Sequence, residues 1–200
     1  MKLYYSPGAC SLASYITLKE LGLSFEPVEV DLKAKRLKNG GDYTAINPKG
    51  YVPAIALDDG AVLTENTAVL QFLADLKPSA ALAPPASSFE RYRLQEWLGF
   101  INSEIHKSFG PLFNPNAPEA TKEAAKELLK KRLGFVAKAL DGRDYLLARY
   151  SVADAYLYTV LRWAPKFNVD LSALPALAAY SARIGARPGV RAALAAEGLT

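Results

Sequence analysis

Met1-Lys2-Leu3-Tyr4-Tyr5-Ser6-Pro7-Gly8-Ala9-Cys10-Ser11-Leu12-Ala13 opens the chain and sets its architecture. Met1 to Tyr5 reads as a short strand and Ser6-Pro7-Gly8-Ala9 as a turn. A helical pattern then runs from Cys10 to about Leu21 and stops at Gly22. Cys10 is the single cysteine and falls in that first helical turn. Unpaired backbone N–H groups and the positive end of the helix dipole favour thiolate there, which makes Cys10 a candidate reactive sulfur. The alternative is a small buried hydrophobe, since free cysteines are among the most buried residues. Ser11 beside it offers a hydroxyl, although serine in a first turn is usually only a cap.

Working outward, Phe25 to Val30 reads as a second strand, which Pro27 weakens or places at a sheet edge. Lys33 to Gly41 is irregular and rich in lysine and glycine. Pro53 to Leu57 and Ala61 to Leu63 flank Asp58-Asp59-Gly60, a hairpin turn, and Glu65-Asn66 opens another helix. The order βαβ, irregular segment, ββα implies a small sheet covered by helices over residues 1–77. Residues 78–88 hold Pro78, Pro84 and Pro85 and read as a linker. Residues 89–200 show helical patterns only: Phe89–Phe109, Pro118–Leu140, Ser151–Ala164, Pro175–Ile184 and Gly189–Ala196. Ser151-Val152-Ala153-Asp154 is a capping box at the start of one of them.

Half of the 200 residues are apolar and 22% are charged, an ordinary globular composition. One cysteine excludes an intramolecular disulfide and gives no support to secretion. The N-terminus lacks the basic-then-apolar pattern of a signal, and no apolar run approaches the ~20 residues of a membrane span. A cytoplasmic protein without a membrane partner is the expectation. The net charge of +4 is modest. The basic run Lys33 to Lys38 reads as a solvated loop able to meet a small anion, not as a nucleic-acid site.

Ala13 stands where a dithiol oxidoreductase would carry its second cysteine, so any disulfide chemistry at Cys10 needs an external thiol. His106 is the only histidine, on a small and polar stripe with Gly99, Asn102 and Ser103. It either faces solvent or lines a cleft against the first domain and polarises a thiol or water. One histidine and one cysteine do not make a zinc site, and no metal is expected. Tyr51-Val52-Pro53 precedes a strand. An X-Pro bond is trans by default, but a cis bond would turn the Val52 backbone outward to pair with an extended peptide. Glu65-Asn66 is either a plain cap or a holder for a ligand's charged end. Together these features suit a short zwitterionic peptide carrying its own thiol.

Five segments, in order and spanning nearly the whole chain, resemble the cytosolic glutathione S-transferases, most closely the bacterial beta class. They are the opening Met1 to Ser11, Asn47 to Ala54, Leu63 to Asn66, Ser103 to Lys107 and Ser151 to Tyr156. The resemblance implies an α/β thioredoxin-like domain followed by an all-α domain, working as a homodimer. It implies that Cys10 contacts the glutathione sulfur and can form a mixed disulfide with it, that His106 approaches the same site, and that Ser11 is an auxiliary. It places Val52 against the cysteinyl unit beside cis-Pro53 and next to Tyr51, Glu65 and Asn66 at the γ-glutamyl end, and Lys35 toward the glycyl carboxylate. Ser103 and Glu104 would reach the ligand of the partner subunit. Three departures stand out: Gly99 replaces an asparagine that touches the ligand, and Asn66, able to cap its helix, replaces a smaller residue. Ala155 replaces a large hydrophobic-staple residue, which would leave Tyr150 packed on little.

The leading expectation is a detoxifying transferase that adds glutathione to small hydrophobic electrophiles, which would lie near Tyr5, Ala9, His106, Phe109 and Phe113. The alternatives are a glutathione-dependent disulfide reductase or peroxidase, and a non-catalytic carrier of apolar ligands or interaction protein on the same scaffold.

Overall fold

Alternation along Leu3-Tyr4-Tyr5 sends successive side chains to opposite faces, yet all three are buried, so this strand is covered on both sides. It is β1 (Lys2–Tyr5), the centre of a five-stranded sheet in the computed structural model, which describes residues 1–199. Its partners are β2 (Glu26–Asp31), β3 (Arg36–Leu37), β4 (Ala54–Ala56) and β5 (Val62–Thr64), in the spatial order β3-β2-β1-β4-β5. β1 and β2 run parallel, pairing Leu3 with Pro27, and the other neighbours are antiparallel. This is the thioredoxin-like α/β arrangement expected from the sequence.

Two details differ from the sequence reading. The basic stretch is not all loop, because Arg36–Leu37 pairs back on Val30 and Asp31 as β3, and Lys38 forms an ion pair with Glu29 at 2.6 Å. Nor is β2 an edge strand. β3 is too short to reach Pro27, so that residue's missing N–H costs the sheet nothing on the outer side.

α1 (Leu12–Leu21) packs on β1 and on α2 (Asn66–Asp75), while Tyr4 joins Val30, Tyr43, Val52 and Ala54 in a separate cluster. Gly22 ends α1 in the left-handed conformation, at φ 64°, with its N–H returning to the last turn. The chain divides into two compact units, and the first combines Met1–Ala83 with the stretch from Ala186 onward. The last helix, α9 (Pro188–Ala196), therefore packs on α1, although it follows the helical half in chain order. Arg187 grips Glu20 of α1 through two hydrogen bonds of 2.7 and 3.0 Å. A Cβ at Gly189 would lie 2.7 Å from the Glu20 side chain, which would have to shift away from Arg187 to admit it.

The second unit, Pro84–Gly185, is all helical. Ser88 caps α3 (Phe89–Phe100) by accepting the Arg91 N–H at 3.2 Å. The pattern that reads as one helix to Phe109 changes its winding at Ile101. Residues Ile101–His106 form a π-helix, in which the Lys107 N–H reaches back five residues to Asn102 O, and a 3₁₀ turn and the short α4 (Gly110–Phe113) follow. α5 (Glu119–Ala139), the wholly buried α6 (Val152–Leu161), α7 (Trp163–Lys166) and α8 (Pro175–Gly185) complete the unit.

The capping box at α6 forms, and it does more than cap. The fully buried Asp154 carboxylate accepts the Ser151 N–H at 2.8 Å, the Leu146 N–H at 3.0 Å and the Tyr180 hydroxyl at 2.9 Å. Burial raises its pKa, and these donors oppose the rise. The expectation that Tyr150 packs on little is corrected: it is buried and meets Tyr145 edge-on at 5.9 Å. No helix among the described residues is long and apolar enough to cross a membrane.

Candidate functional site

In the first unit, α1 begins at Leu12, so Cys10 lies in the turn before the helix and not within it. Its thiol donates to the Val52 carbonyl at 3.1 Å. The residue keeps some exposed surface, but burial of the sulfur pushes the thiol up to about 12, with Glu65 adding to the rise. The backbone N–H groups of Cys10 and Ser11 do favour the thiolate, as the sequence suggested, but desolvation outweighs them. Of the two sequence readings, burial thus favours the protonated thiol over the thiolate. Ser11 is corrected from an available hydroxyl. It is fully buried, accepts the Ser6 N–H at 3.1 Å and contacts Ser6 O at 3.4 Å, which holds the turn.

The Val52–Pro53 peptide bond is cis. The preceding carbonyl, that of Tyr51, accepts both the Tyr43 hydroxyl and the Asn47 amide at 2.7 Å, so the approach to Val52 is anchored from below. Tyr51 itself projects with two-thirds of its surface exposed. Lys35, at φ 57°, donates to Gly50 O at 2.8 Å and lies 5.3 Å from the Tyr51 ring centre.

Glu65 sits at the N-terminus of α2 with φ 73°, a left-handed conformation uncommon for a residue with a Cβ. Its carboxylate is exposed and pairs with Lys49, whose ammonium also donates to Thr64 at 2.8 Å. Asn66 does not cap the helix with its side chain. It is buried, donates to Cys10 O at 2.9 Å and accepts the Ser14 hydroxyl at 3.2 Å, tying the Cys10 turn to α2. Cys10, Ser11, Val52, Pro53 and Asn66 are therefore brought together, with Lys35, Tyr51 and Glu65 on the flanking loop and helix start.

His106, Ser103 and Glu104 belong to the second unit, on the π-helical turn. His106 is partly buried, not solvent-facing. Its Nδ1 lies 2.6 Å from the Tyr156 hydroxyl, and Trp163 meets its ring at 5.0 Å. Burial lowers its pKa to about 4, helped by the neighbouring Lys107. Phe109, Phe113 and Phe167 extend the aromatic surface around Trp163 at centroid separations of 4.6 to 5.4 Å. Ser103 donates to Gly99 O at 3.0 Å, and Glu104 pairs with Arg132 at 2.6 Å. A Cβ at Gly99 would meet open space. Among the described residues no three His, Cys, Asp or Glu gather as a metal site.

Two family models match the chain: the glutathione S-transferase N-terminal domain over residues 8–76 and the C-terminal domain over residues 100–188. The chain belongs to the glutathione S-transferase family. It is 51% identical to glutathione S-transferase GstA of Escherichia coli O157:H7 over the full length of both. The solved structure of a sphingomonad glutathione S-transferase complexed with glutathione is 49% identical, with a TM-score of 0.96 and full coverage of both chains. The beta-class Sphingomonas chungbukensis glutathione S-transferase is 48% identical, with a TM-score of 0.98 and the same coverage. The beta-class resemblance read from the five segments is thereby borne out.

Sequence reasoning about this glutathione S-transferase missed several residues that build the site. Tyr43 and Asn47 fix the Tyr51 carbonyl, and Asn47 was legible only as part of the Asn-Pro-Lys-Gly stretch. Glu197, beyond the last helix, accepts the Gly8 N–H at 2.8 Å and so secures the loop before Cys10. No local signal pairs residues 189 positions apart.

Proposed function

We propose that this glutathione transferase binds glutathione along the Val52 edge of its first unit and joins it through its sulfur to small hydrophobic electrophiles. The observation that carries the reading is the Cys10 thiol held 3.1 Å from the Val52 carbonyl. That contact supports the reading, since a thiol able to meet the glutathione sulfur would lie beside a backbone segment that suits an extended cysteinyl peptide. Val52 would pair with the cysteinyl unit. The Glu65 carboxylate and the α2 N-terminus would take the ammonium and carboxylate of the γ-glutamyl end. Lys35 beside Tyr51 would take the glycyl carboxylate, Asn66 would keep the Cys10 turn in place, and Ser11 would act by holding that turn. In a homodimer, Ser103 and Glu104 would serve the ligand of the partner subunit.

In conjugation the glutathione thiol loses its proton, a carbon–sulfur bond forms, and a leaving group such as chloride departs with the bonding pair. A neutral Cys10 thiol can donate a hydrogen bond to that sulfur, and a neutral His106 can accept a proton. The aromatic side chains around Trp163 offer apolar surface for the electrophile. Cys10 can also form a mixed disulfide. Its thiolate would attack a glutathione-containing disulfide and expel the other thiolate, and a second glutathione would then regenerate Cys10 and leave as glutathione disulfide. Because burial keeps the thiol protonated, this exchange is the lesser reaction at neutral pH.

The purified protein should be retained on glutathione agarose and conjugate a chlorinated nitrobenzene under reducing conditions. Glu65→Ala should raise the KM for glutathione about tenfold, the size expected for one lost charge-assisted contact. Absence of both retention and turnover in the wild type would overturn the reading.

A further inference from the structure

Asn102, Tyr156 and His106 form a chain of hydrogen bonds inside the second unit, of which the reading above gives only His106 a role. Asn102 and His106 are one helical turn apart on the π-helical segment, and Tyr156 reaches them from α6. The Tyr156 side chain is fully buried. Its hydroxyl stands 3.0 Å from Asn102 Oδ1 and 2.6 Å from His106 Nδ1.

A phenol has one proton to give. Here it goes to the Asn102 carbonyl oxygen, so the contact to His106 must use a proton on Nδ1, with the phenol oxygen accepting. A neutral imidazole carries only one N–H, and Nε2 is then left with its lone pair. Two aromatic edges hold the ring plane, Trp163 at 5.0 Å and Tyr156 at 5.8 Å between centroids. Burial and Lys107 both disfavour the imidazolium, so the tautomer is the property left for the surroundings to set.

We infer that Asn102 and Tyr156 are positioning residues that fix His106 as its Nδ1–H tautomer and present Nε2 as the proton acceptor during glutathione transfer. The competing arrangement turns the Asn102 amide over. Its Nδ2 would then donate to the phenol, Tyr156 would donate to Nδ1, and Nε2 would carry the proton. That arrangement makes His106 a donor and not an acceptor, so the two have opposite chemistry at the same atom. The tautomer stands independently of the proposed function; its role in transfer rests on it.

His106 is the only histidine, so ¹⁵N correlation spectra of the labelled full-length protein at pH 7 report its two ring nitrogens without ambiguity. The expected spectrum has a protonated Nδ1 and a bare Nε2. Tyr156→Phe should replace it by an averaged pair of tautomers. Asn102→Asp, which can only accept, should preserve the Nδ1–H form. A wild-type spectrum with Nε2–H, or one unchanged by Tyr156→Phe, overturns the assignment. If Tyr156→Phe fails to fold, the wild type and Asn102→Asp decide it, since the competing arrangement predicts an inverted tautomer in the latter.

In the conjugation assay Tyr156→Phe should lower kcat about tenfold or more, within the range general-base catalysis supplies, while the KM for glutathione stays within about twofold. A change confined to KM would overturn the positioning role. A wild type that shows the expected tautomer but neither binds nor conjugates glutathione would overturn the proposed function and leave the tautomer standing.

Discussion

Around Cys10 every deciding hydrogen bond has the main chain at one end: the thiol to Val52 O, the Asn66 amide to Cys10 O, and the Gly8 N–H to the Glu197 carboxylate. Around His106 they run between side chains, from His106 to Tyr156 to Asn102. Both groups are kept uncharged by burial, the thiol pushed up to about 12 and the imidazole down to about 4. The difference is in what fixes them. A group with main-chain partners is less sensitive to any one neighbouring side chain, whereas a group held only by side chains depends on each member of the chain.

The largest effect that could break this comparison concerns the thiol. Iodoacetamide should modify Cys10 in the ligand-free native protein at least about a hundredfold more slowly at pH 7.5 than in the unfolded chain, because only thiolate reacts. The raised pKa also means that the thiol contributes stability below its unfolded value of about 9, which is lost as pH rises toward 12. Native and unfolded rates within tenfold of each other would show that burial does not control the sulfur.

Next in size is Asp154→Ala, which removes the acceptor for two backbone N–H groups and the Tyr180 hydroxyl in a buried site. A loss of about 3 kcal/mol or more is expected from urea unfolding, since each stranded donor costs about 1 kcal/mol or more. Asp154 seats the helix that carries Tyr156, so this variant should also disturb the His106 spectrum. A loss under about 1 kcal/mol would contradict the network.

The imidazole gives a smaller effect of opposite pH sense. A lowered folded pKa means stability that is fully present above about 6.5 and lost as pH falls toward about 4. The loss attributable to His106 is on the order of 3 kcal/mol at most, and His106→Gln should flatten that part of the profile. A profile unchanged by the substitution would place the acid sensitivity elsewhere. Smallest is Asn66→Ser, which removes the tether to Cys10 O at a cost of about 1 kcal/mol. The Cys10 contact to Val52 should persist, and a several-fold faster alkylation of the variant would show that the side chain matters more than the main chain.

The same contrast explains what the sequence made legible. Cys10, Val52-Pro53 and Glu65 sit at strand and helix junctions, where turn residues and periodicity mark positions to within a residue or two. Their surroundings are largely main chain, which the fold supplies. The electrostatics were harder: the dipole argument had the right sign for the Cys10 and Ser11 N–H groups, but burial is a tertiary quantity and it won. The structural role of Asn66 was not among the readings its position offered, because nothing local shows that its amide reaches Cys10 fifty-six residues earlier. The π-helical turn was invisible in a pattern that continues smoothly from Phe89, and Tyr156 as partner to His106 lies fifty residues away. α9 joined the first unit through Glu20 and Arg187, a pairing that no periodicity announces.

The most direct measurement is the steady-state conjugation of glutathione to a chlorinated nitrobenzene by the wild type and Cys10→Ala, side by side under reducing conditions. The account predicts turnover in both, with kcat/KM within about tenfold, and a glutathione mixed disulfide detectable by mass spectrometry in the wild type alone under oxidising conditions. Loss of all conjugation in Cys10→Ala, with glutathione binding intact, would contradict a Cys10 that acts as a protonated donor and would make its thiolate the essential group.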